Sequence, residues 1–187
     1  LAALIRHQTL TSPGIGKATA FAFAKYGVQR LALSDRPSSS QALNATAKEL
    51  QSQFPNLSVA PLLIDVTSSS DIDKGVSDAV AAFGRIDIAV HNAGISGQPA
   101  PTHEMEEADW EKVLDVNLRG VWRSQKRILR QMLTQENLGE RAGRGTIVNV
   151  ASMYGLVGPP GYVNATPYTT TKHAVVGLTR AVSSLPA

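Results

Sequence analysis

Two hydrophobic periods alternate along this chain. Short apolar runs are followed by longer stretches in which apolar residues recur every three or four positions. The segment from Leu4 to Gln8 stands where a first, central strand is expected. A helix is expected over Lys17 to Tyr26, with Ala18, Phe21 and Ala22 on one face and Gly27 as its stop. A strand from Arg30 to Ser34, a helix from about Gln41 to Phe54 closed by Pro55, and a strand from Val59 to Ile64 come next. Thr67 and the serines after it supply N-cap candidates for a helix from about Asp71 to Phe83. Ile86 to Val90 reads as a strand. The pattern then predicts one long helix from Glu106 to Gln135, on which Leu114, Leu118, Val121, Ile128, Met132 and Leu133 fall at helical spacing. After a basic, glycine-rich turn from Gly139 to Gly145, Thr146 to Val150 is a strand and a last helix begins near Pro167. Strands alternating with helices need right-handed crossovers that cover both faces of a parallel sheet. The expected fold class is therefore α/β, with a doubly wound sheet in three layers and a ligand crevice beyond the carboxyl ends of the strands.

Composition narrows the function classes. The 187 residues carry 18 Lys plus Arg against 15 Asp plus Glu, a net charge of +3, with 43% hydrophobic and 18% charged residues. That balance is typical of one ordinary core-forming domain, and residues 1–187 are read as a single unit. The sequence pI of about 9.3 rests on a small surplus without a block of cations, so neither nucleic acid nor a membrane is an expected partner. No cysteine is present, which excludes disulfides, thiolate metal ligation and a Cys nucleophile; no metal site is expected. No targeting pattern is evident, and a cytoplasmic location is the default expectation.

Candidate chemistry gathers at the strand ends. Gly14, Ile15 and Gly16 precede a helix, where glycines let backbone approach a phosphate stabilised by the helix N-terminus. Thr19 occupies the third position of G-x-G-x-x-G, so this signal is weak alone. Asp35 follows Gly16 by 19 residues, close to the spacing at which a carboxylate meets an adenosine ribose. Tyr168 and Lys172 stand at i and i+4, neighbours on one helix face. A phenol ordinarily titrates near about 10 and is a poor base at neutral pH, whereas a nearby cation favours its phenolate. Ser152 ends a strand 16 residues before Tyr168, where its hydroxyl could donate to a substrate oxygen.

Taken in order, Gly14 to Gly16, Asp65-Val66, His91 to Gly94, Asn117, Ser152 and the Tyr168/Lys172 pair resemble the short-chain dehydrogenase/reductase family from about residue 9 to residue 184. The resemblance implies a Rossmann-like domain that moves hydride between a nicotinamide and an alcohol or carbonyl substrate. It implies Tyr168 as general acid/base, Lys172 on the nicotinamide ribose, Ser152 polarising the carbonyl and Asn117 holding a water. Asp65 and Val66 would border the adenine, and Asn92, Ala93 and Gly94 would pack beside the cofactor. His91 stands where the family usually has Asn, and reads as tolerated packing. Asp35 favours NAD over NADP, although Arg36 beside it could pair with a 2′-phosphate. A complete chain of this kind is expected to form a homodimer or homotetramer through the helices carrying Asn117 and Tyr168.

Departures from the family pattern keep a second reading open. Thr9 is followed by Leu10 where a glycine is usual, and Arg6, His7 and Gln8 are ill suited to a buried central strand. The family's last strands, a Pro-Gly turn and a substrate lid have no counterpart before Ala187, so the sequence reads as a fragment lacking those strands. The spacing from Ser152 to Tyr168 is longer than usual and includes Gly158 to Gly161, read as a loop insertion. The alternative is a catalytically silent dinucleotide-binding fragment or interaction module.

Overall fold

The computed structural model describes residues 2–6, 14–140 and 143–183. Five parallel strands form one sheet in the order β3-β2-β1-β4-β5: β1 Ala2–Arg6, β2 Arg30–Asp35, β3 Ser58–Leu63, β4 Ile88–His91 and β5 Thr146–Asn149. The central strand begins earlier than expected. It occupies Ala2 to Arg6, pairing Ile5 with Leu33 on one side and Val90 on the other. Its first four residues are all apolar, and Arg6 falls at its carboxyl end. His7, Gln8, Thr9 and Leu10 lie outside the described residues.

Strand parity assigns side chains to two separate cores. Leu31, Leu33, Val59, Ile88 and Val90 join the helices α1 Ile15–Lys25 and α2 Ser40–Gln53. Ala32, Ala60, Leu62, Ala89 and Ile147 instead meet α3 Ser69–Phe83 and, later in the chain, α5 Gly120–Leu133. Because successive strand residues point to opposite faces, β2, β3 and β4 each contribute to both cores, as a doubly wound, three-layer arrangement requires. Pro61 is compatible with β3 because that strand is at the sheet edge, where a missing N–H removes no ladder bond.

Helix boundaries track their caps. Gly27, at φ +92°, lets Val28 N–H reach Phe23 C=O and Gly27 N–H reach Ala24 C=O, closing α1 in a Schellman motif. Ser68 caps α3 by accepting from Asp71 N–H while its hydroxyl donates to the Asp71 carboxylate. The buried stripe of α1 is Gly16, Ala20 and Ala24, one turn apart, and not the face of Ala18 and Ala22, which are exposed. In so Ala-rich a helix, single methyl groups scarcely bias the hydrophobic face, and the large partly buried Phe21 and Phe23 flank the stripe.

The long helix expected from Glu106 to Gln135 is helical but not uniform. α4 Glu107–Leu114 runs into a π turn, Asp115–Arg119, and then into α5, with helical dihedrals at both junctions. Leu133 is 64% exposed, so it leaves the buried stripe that Val121, Ile128 and Met132 occupy. The last helix, α6 Thr166–Ser183, packs beside the π turn and α4. Among the described residues no helix is long and apolar enough to cross a membrane.

One side chain fastens the entrances of β4 and β5. Gln135 accepts from Ile86 N–H at 2.8 Å and donates to Ile86 C=O at 3.0 Å and to Arg144 C=O at 2.7 Å, and the residue is itself buried. Gln135→Ala leaves those backbone groups without their acceptor and donor, and should lower stability by about 2–3 kcal/mol. Urea unfolding checks this: the midpoint should fall with an unchanged m value, whereas an unchanged midpoint would show that water replaces the clip without cost.

Candidate active site

The strand order turns back between β1 and β4, so the chain leaves their carboxyl ends in opposite directions and opens a crevice there. A cavity of about 410 Å³ occupies it, lined by Gly14, Ile15, Asn92, Gly94, Tyr168 and Lys172 among others. A second cavity of about 260 Å³ lies at the ends of β2 and β3, bounded by Asp35, Arg36, Asp65, Val66, Ala93 and the α4 side of the fold. Ile95 borders both. They lie side by side in a trough along the carboxyl edge of the sheet, with Ile95 between them.

Lys172 is the most constrained charge in the trough. Its side chain, on α6, leaves the residue only 5% exposed, and Nζ donates to Val150 C=O at 2.8 Å, just past the end of β5. Burial holds its pKa below the usual lysine value. Tyr168 lies one turn earlier, with Nζ 5.5 Å from its ring centroid. The helical i, i+4 spacing explains this neighbourhood, but the carbonyl of Val150 fixes where the ammonium sits.

Ser152 comes two residues after that carbonyl. It caps a 3₁₀ turn, Met153–Gly155, its Oγ accepting from Tyr154 N–H at 3.2 Å. A hydroxyl used in this way keeps its own proton to donate elsewhere. Tyr154 then packs edge to face against Tyr168, with centroids 6.5 Å apart and planes at 87°. Gly155 lies against α6 so closely that a Cβ there would come within 2.7 Å of Lys172 C=O. The tip of β5 and the helix carrying the phenol are thus fitted to one another from Ser152 to Gly155.

Asn117 sits in the π turn and is wholly buried. Its amide accepts from Ile95 N–H at 2.7 Å, donates to Ile95 C=O at 2.8 Å and donates to Thr171 Oγ1 at 3.3 Å. Thr171 in turn donates to Tyr168 C=O. The side chain therefore pairs with the loop after β4 as a neighbouring strand would, and its hydrogen-bonding capacity is spent on the scaffold. A π turn inserts an extra residue into the helical ladder and re-aims the side chains beyond it; sequence periodicity does not register so local a change.

At the far end of the trough Asp35 is 3% exposed and accepts from Arg36 N–H at 2.7 Å, while the Arg36 side chain is exposed. Asp65 accepts from both Thr67 N–H and Thr67 Oγ1 at 2.8 Å, which shapes the turn that brings Val66 to the cavity. His91 is 3% exposed and its Nδ1 lies 2.8 Å from Asn149 Oδ1, joining β4 to β5. Asn149 donates onward to Gln125 and Thr179, so Oδ1 is the atom presented to the imidazole N–H.

Of the residues singled out from sequence, Gly14, Ile15, Asn92, Gly94, Tyr168 and Lys172 share one cavity, and Asp35, Arg36, Asp65, Val66 and Ala93 share the other. Gly16, Asn117 and Ser152 line neither. Gly16 belongs to the buried stripe of α1, Asn117 lies behind Ile95, and Ser152 sits one residue beyond the lining residue Ala151. Lys112 and Asp115 border the second cavity although nothing in the sequence points to them. They lie on a helix whose charged positions read as a solvated face, and no motif marks them.

Residues 9–185 match the short chain dehydrogenase family. The short-chain dehydrogenase srdC of Neurospora crassa is 37% identical over 179 residues, covering 89% of this chain and 63% of that protein. An NAD+-bound xylitol dehydrogenase structure has a TM-score of 0.81 at 32% identity, over 96% of this chain and 63% of its own. A variant of actinorhodin polyketide ketoreductase crystallised with NADPH has a TM-score of 0.80 at 32% identity, over 97% of this chain and 64% of its own. The chain thus spans a little under two thirds of the length of each. With a family match over nearly its whole length, this chain belongs to the short-chain dehydrogenase/reductase family.

Proposed function

We propose that the protein is an NAD(P)-dependent oxidoreductase that interconverts an alcohol and a carbonyl compound. The observation that carries this reading is the buried Lys172 ammonium beside the Tyr168 ring, in a cavity that Gly14 and Gly94 also line. The residues present fit a dinucleotide. Gly14 is the extended N-cap of α1, a helix whose first turn carries no acidic residue, so its N–H groups favour an anion. The buried Asp35 carboxylate faces the other cavity, at the end of the strand where a ribose hydroxyl is bound in such folds. When bound, the nicotinamide supplies or accepts the hydride.

The chain's own groups manage the proton. In the reductive direction the Tyr168 hydroxyl gives its proton to the substrate oxygen, and in the oxidative direction the phenolate takes it back. Lys172 stabilises the charge left on the phenol oxygen, and its anchorage to Val150 C=O keeps it from turning out to solvent. Ser152, with its acceptor side already occupied by Tyr154 N–H, donates to the same substrate oxygen. Asn117 acts as a positioning residue: it holds Ile95 and Thr171, and through Thr171 the Tyr168 carbonyl. Asp35 favours NAD, since a buried carboxylate repels a 2′-phosphate more strongly than the exposed Arg36 attracts one.

Tyr168→Phe should lower kcat for carbonyl reduction by roughly 10²–10⁴-fold while coenzyme affinity stays close to that of the parent protein. Steady-state rates on a panel of carbonyl compounds, with NADH binding followed by calorimetry, check both halves; equal rates in parent and variant would remove the phenol from the mechanism. A titration of NADH against NADPH should favour NADH by about tenfold or more, and Asp35→Ser should erase most of that difference, because a one-charge repulsion at close range is worth on the order of 1–2 kcal/mol at effective protein dielectrics. Tighter NADPH binding by the parent protein would reverse the coenzyme assignment.

A further inference from the structure

Tyr154 touches both Ser152 and Tyr168, yet it lines neither cavity. Its backbone N–H donates to Ser152 Oγ, and its half-buried ring meets the Tyr168 ring edge to face. Tyr168 lines the larger cavity and Tyr154 does not, so this contact reaches the phenol from outside the space where a substrate would sit. A phenol used as an acid needs such support. Its hydroxyl has to stay available to the substrate oxygen, so its direction must come from contacts to the ring. Two such contacts are the Tyr154 ring and Lys172 Nζ, which Val150 C=O holds 5.5 Å from the Tyr168 centroid.

The base from which Tyr154 reaches is itself braced. Gly155 N–H donates to Ser152 C=O at 2.9 Å, and the N–H groups of Leu156 and Val157 both donate to Met153 C=O, at 2.9 and 3.0 Å. Backbone bonds therefore bracket Tyr154 on either side. The next residue, Gly155, is buried directly on the α6 backbone at Lys172, one turn after Tyr168. A tyrosine side chain has only two main torsions, so it passes on the position of its backbone with little slack.

We infer, resting on the oxidoreductase reading above, that Tyr154 is a positioning residue for proton transfer. Its backbone end sets the Ser152 hydroxyl and its ring end sets the Tyr168 hydroxyl, so that both meet one substrate oxygen. The residue acts through Tyr168 and does not touch the substrate. Its aromatic ring carries this role and its own hydroxyl does not, since an edge-to-face contact needs only the ring. Misplacing a reacting group by about 1 Å costs on the order of 10²-fold in rate, so a modest loosening of the phenol is measurable.

Steady-state reduction with NADH tests the assignment, on whichever ketone of the carbonyl panel the parent protein reduces fastest. Tyr154→Ala should lower kcat by about ten- to hundredfold, while KM for the ketone and NADH affinity measured by calorimetry stay close to those of the parent. Tyr154→Phe keeps the ring and should bring kcat back near the parent rate. Tyr154→Leu keeps apolar bulk in the turn without the ring and should be as slow as Tyr154→Ala, in whose place it serves if Tyr154→Ala no longer binds NADH. Three results would overturn the inference while the oxidoreductase reading stands. An unchanged kcat without the ring removes Tyr154 from the reaction, a raised KM with kcat intact makes it a substrate contact, and a Tyr154→Phe as slow as Tyr154→Ala gives the role to its hydroxyl. If parent protein that binds NADH reduces no carbonyl compound, both readings fail together.

Discussion

An ammonium group buried against a strand carbonyl is the constraint on which the rest of the site depends. Taking Lys172 out of water disfavours its charge, and the 2.8 Å hydrogen bond to Val150 C=O offsets part of that cost. The bond can form only if the end of β5 and the second turn of α6 are held at a fixed separation. Several otherwise unrelated features serve that end. Gly155 removes a side chain that would collide with the α6 backbone, Tyr154 packs on Tyr168, and the His91 to Asn149 contact ties the tip of β5 to β4. A charge fixed in this way needs little reorganisation when a proton moves beside it, which is the physical content of a preorganised site.

The same logic reaches backward through the helix before β5. The π turn places Asn117 so that its amide pairs with both backbone groups of Ile95, and Ile95 borders both halves of the trough. One buried amide thus links the loop after β4 to α6 through Thr171. Further away, Gln135 fastens the entrances of β4 and β5 much as Asn117 fastens the loop at the exit of β4. Polar side chains that replace backbone pairing are costly to leave half satisfied, so these two amides specify the geometry more sharply than any apolar contact could.

The architecture is legible in the sequence because alternation of strand and helix is a long-range pattern that tolerates local errors. Individual boundaries shift by one or two residues, as at the starts of α3 and β4, without altering which elements pair. The first strand lies earlier than the pattern suggests: Arg6, His7 and Gln8 argue against a buried interior, but the apolar residues from Ala2 to Ile5 already supply a strand of ordinary length. The buried face of α1 escapes a hydrophobic reading because Gly16, Ala20 and Ala24 carry almost no hydrophobic signal. Within the site, residues marked by spacing, such as Tyr168 and Lys172, do lie together. The π turn, the Val150 carbonyl and the lining positions Lys112 and Asp115 leave no such mark, because each is set by three-dimensional packing that no local motif records.

The central claim is that Lys172 is a buried, carbonyl-bound cation next to Tyr168. Nitrogen-15 NMR of the lysine side chains tests it most directly. The Lys172 Nζ resonance should titrate below the ordinary lysine value of 10.5, show slow exchange of its ammonium protons with water, and shift when NADH is added. An Nζ that titrates like the surface lysines, exchanges as fast as they do and ignores NADH would contradict the account.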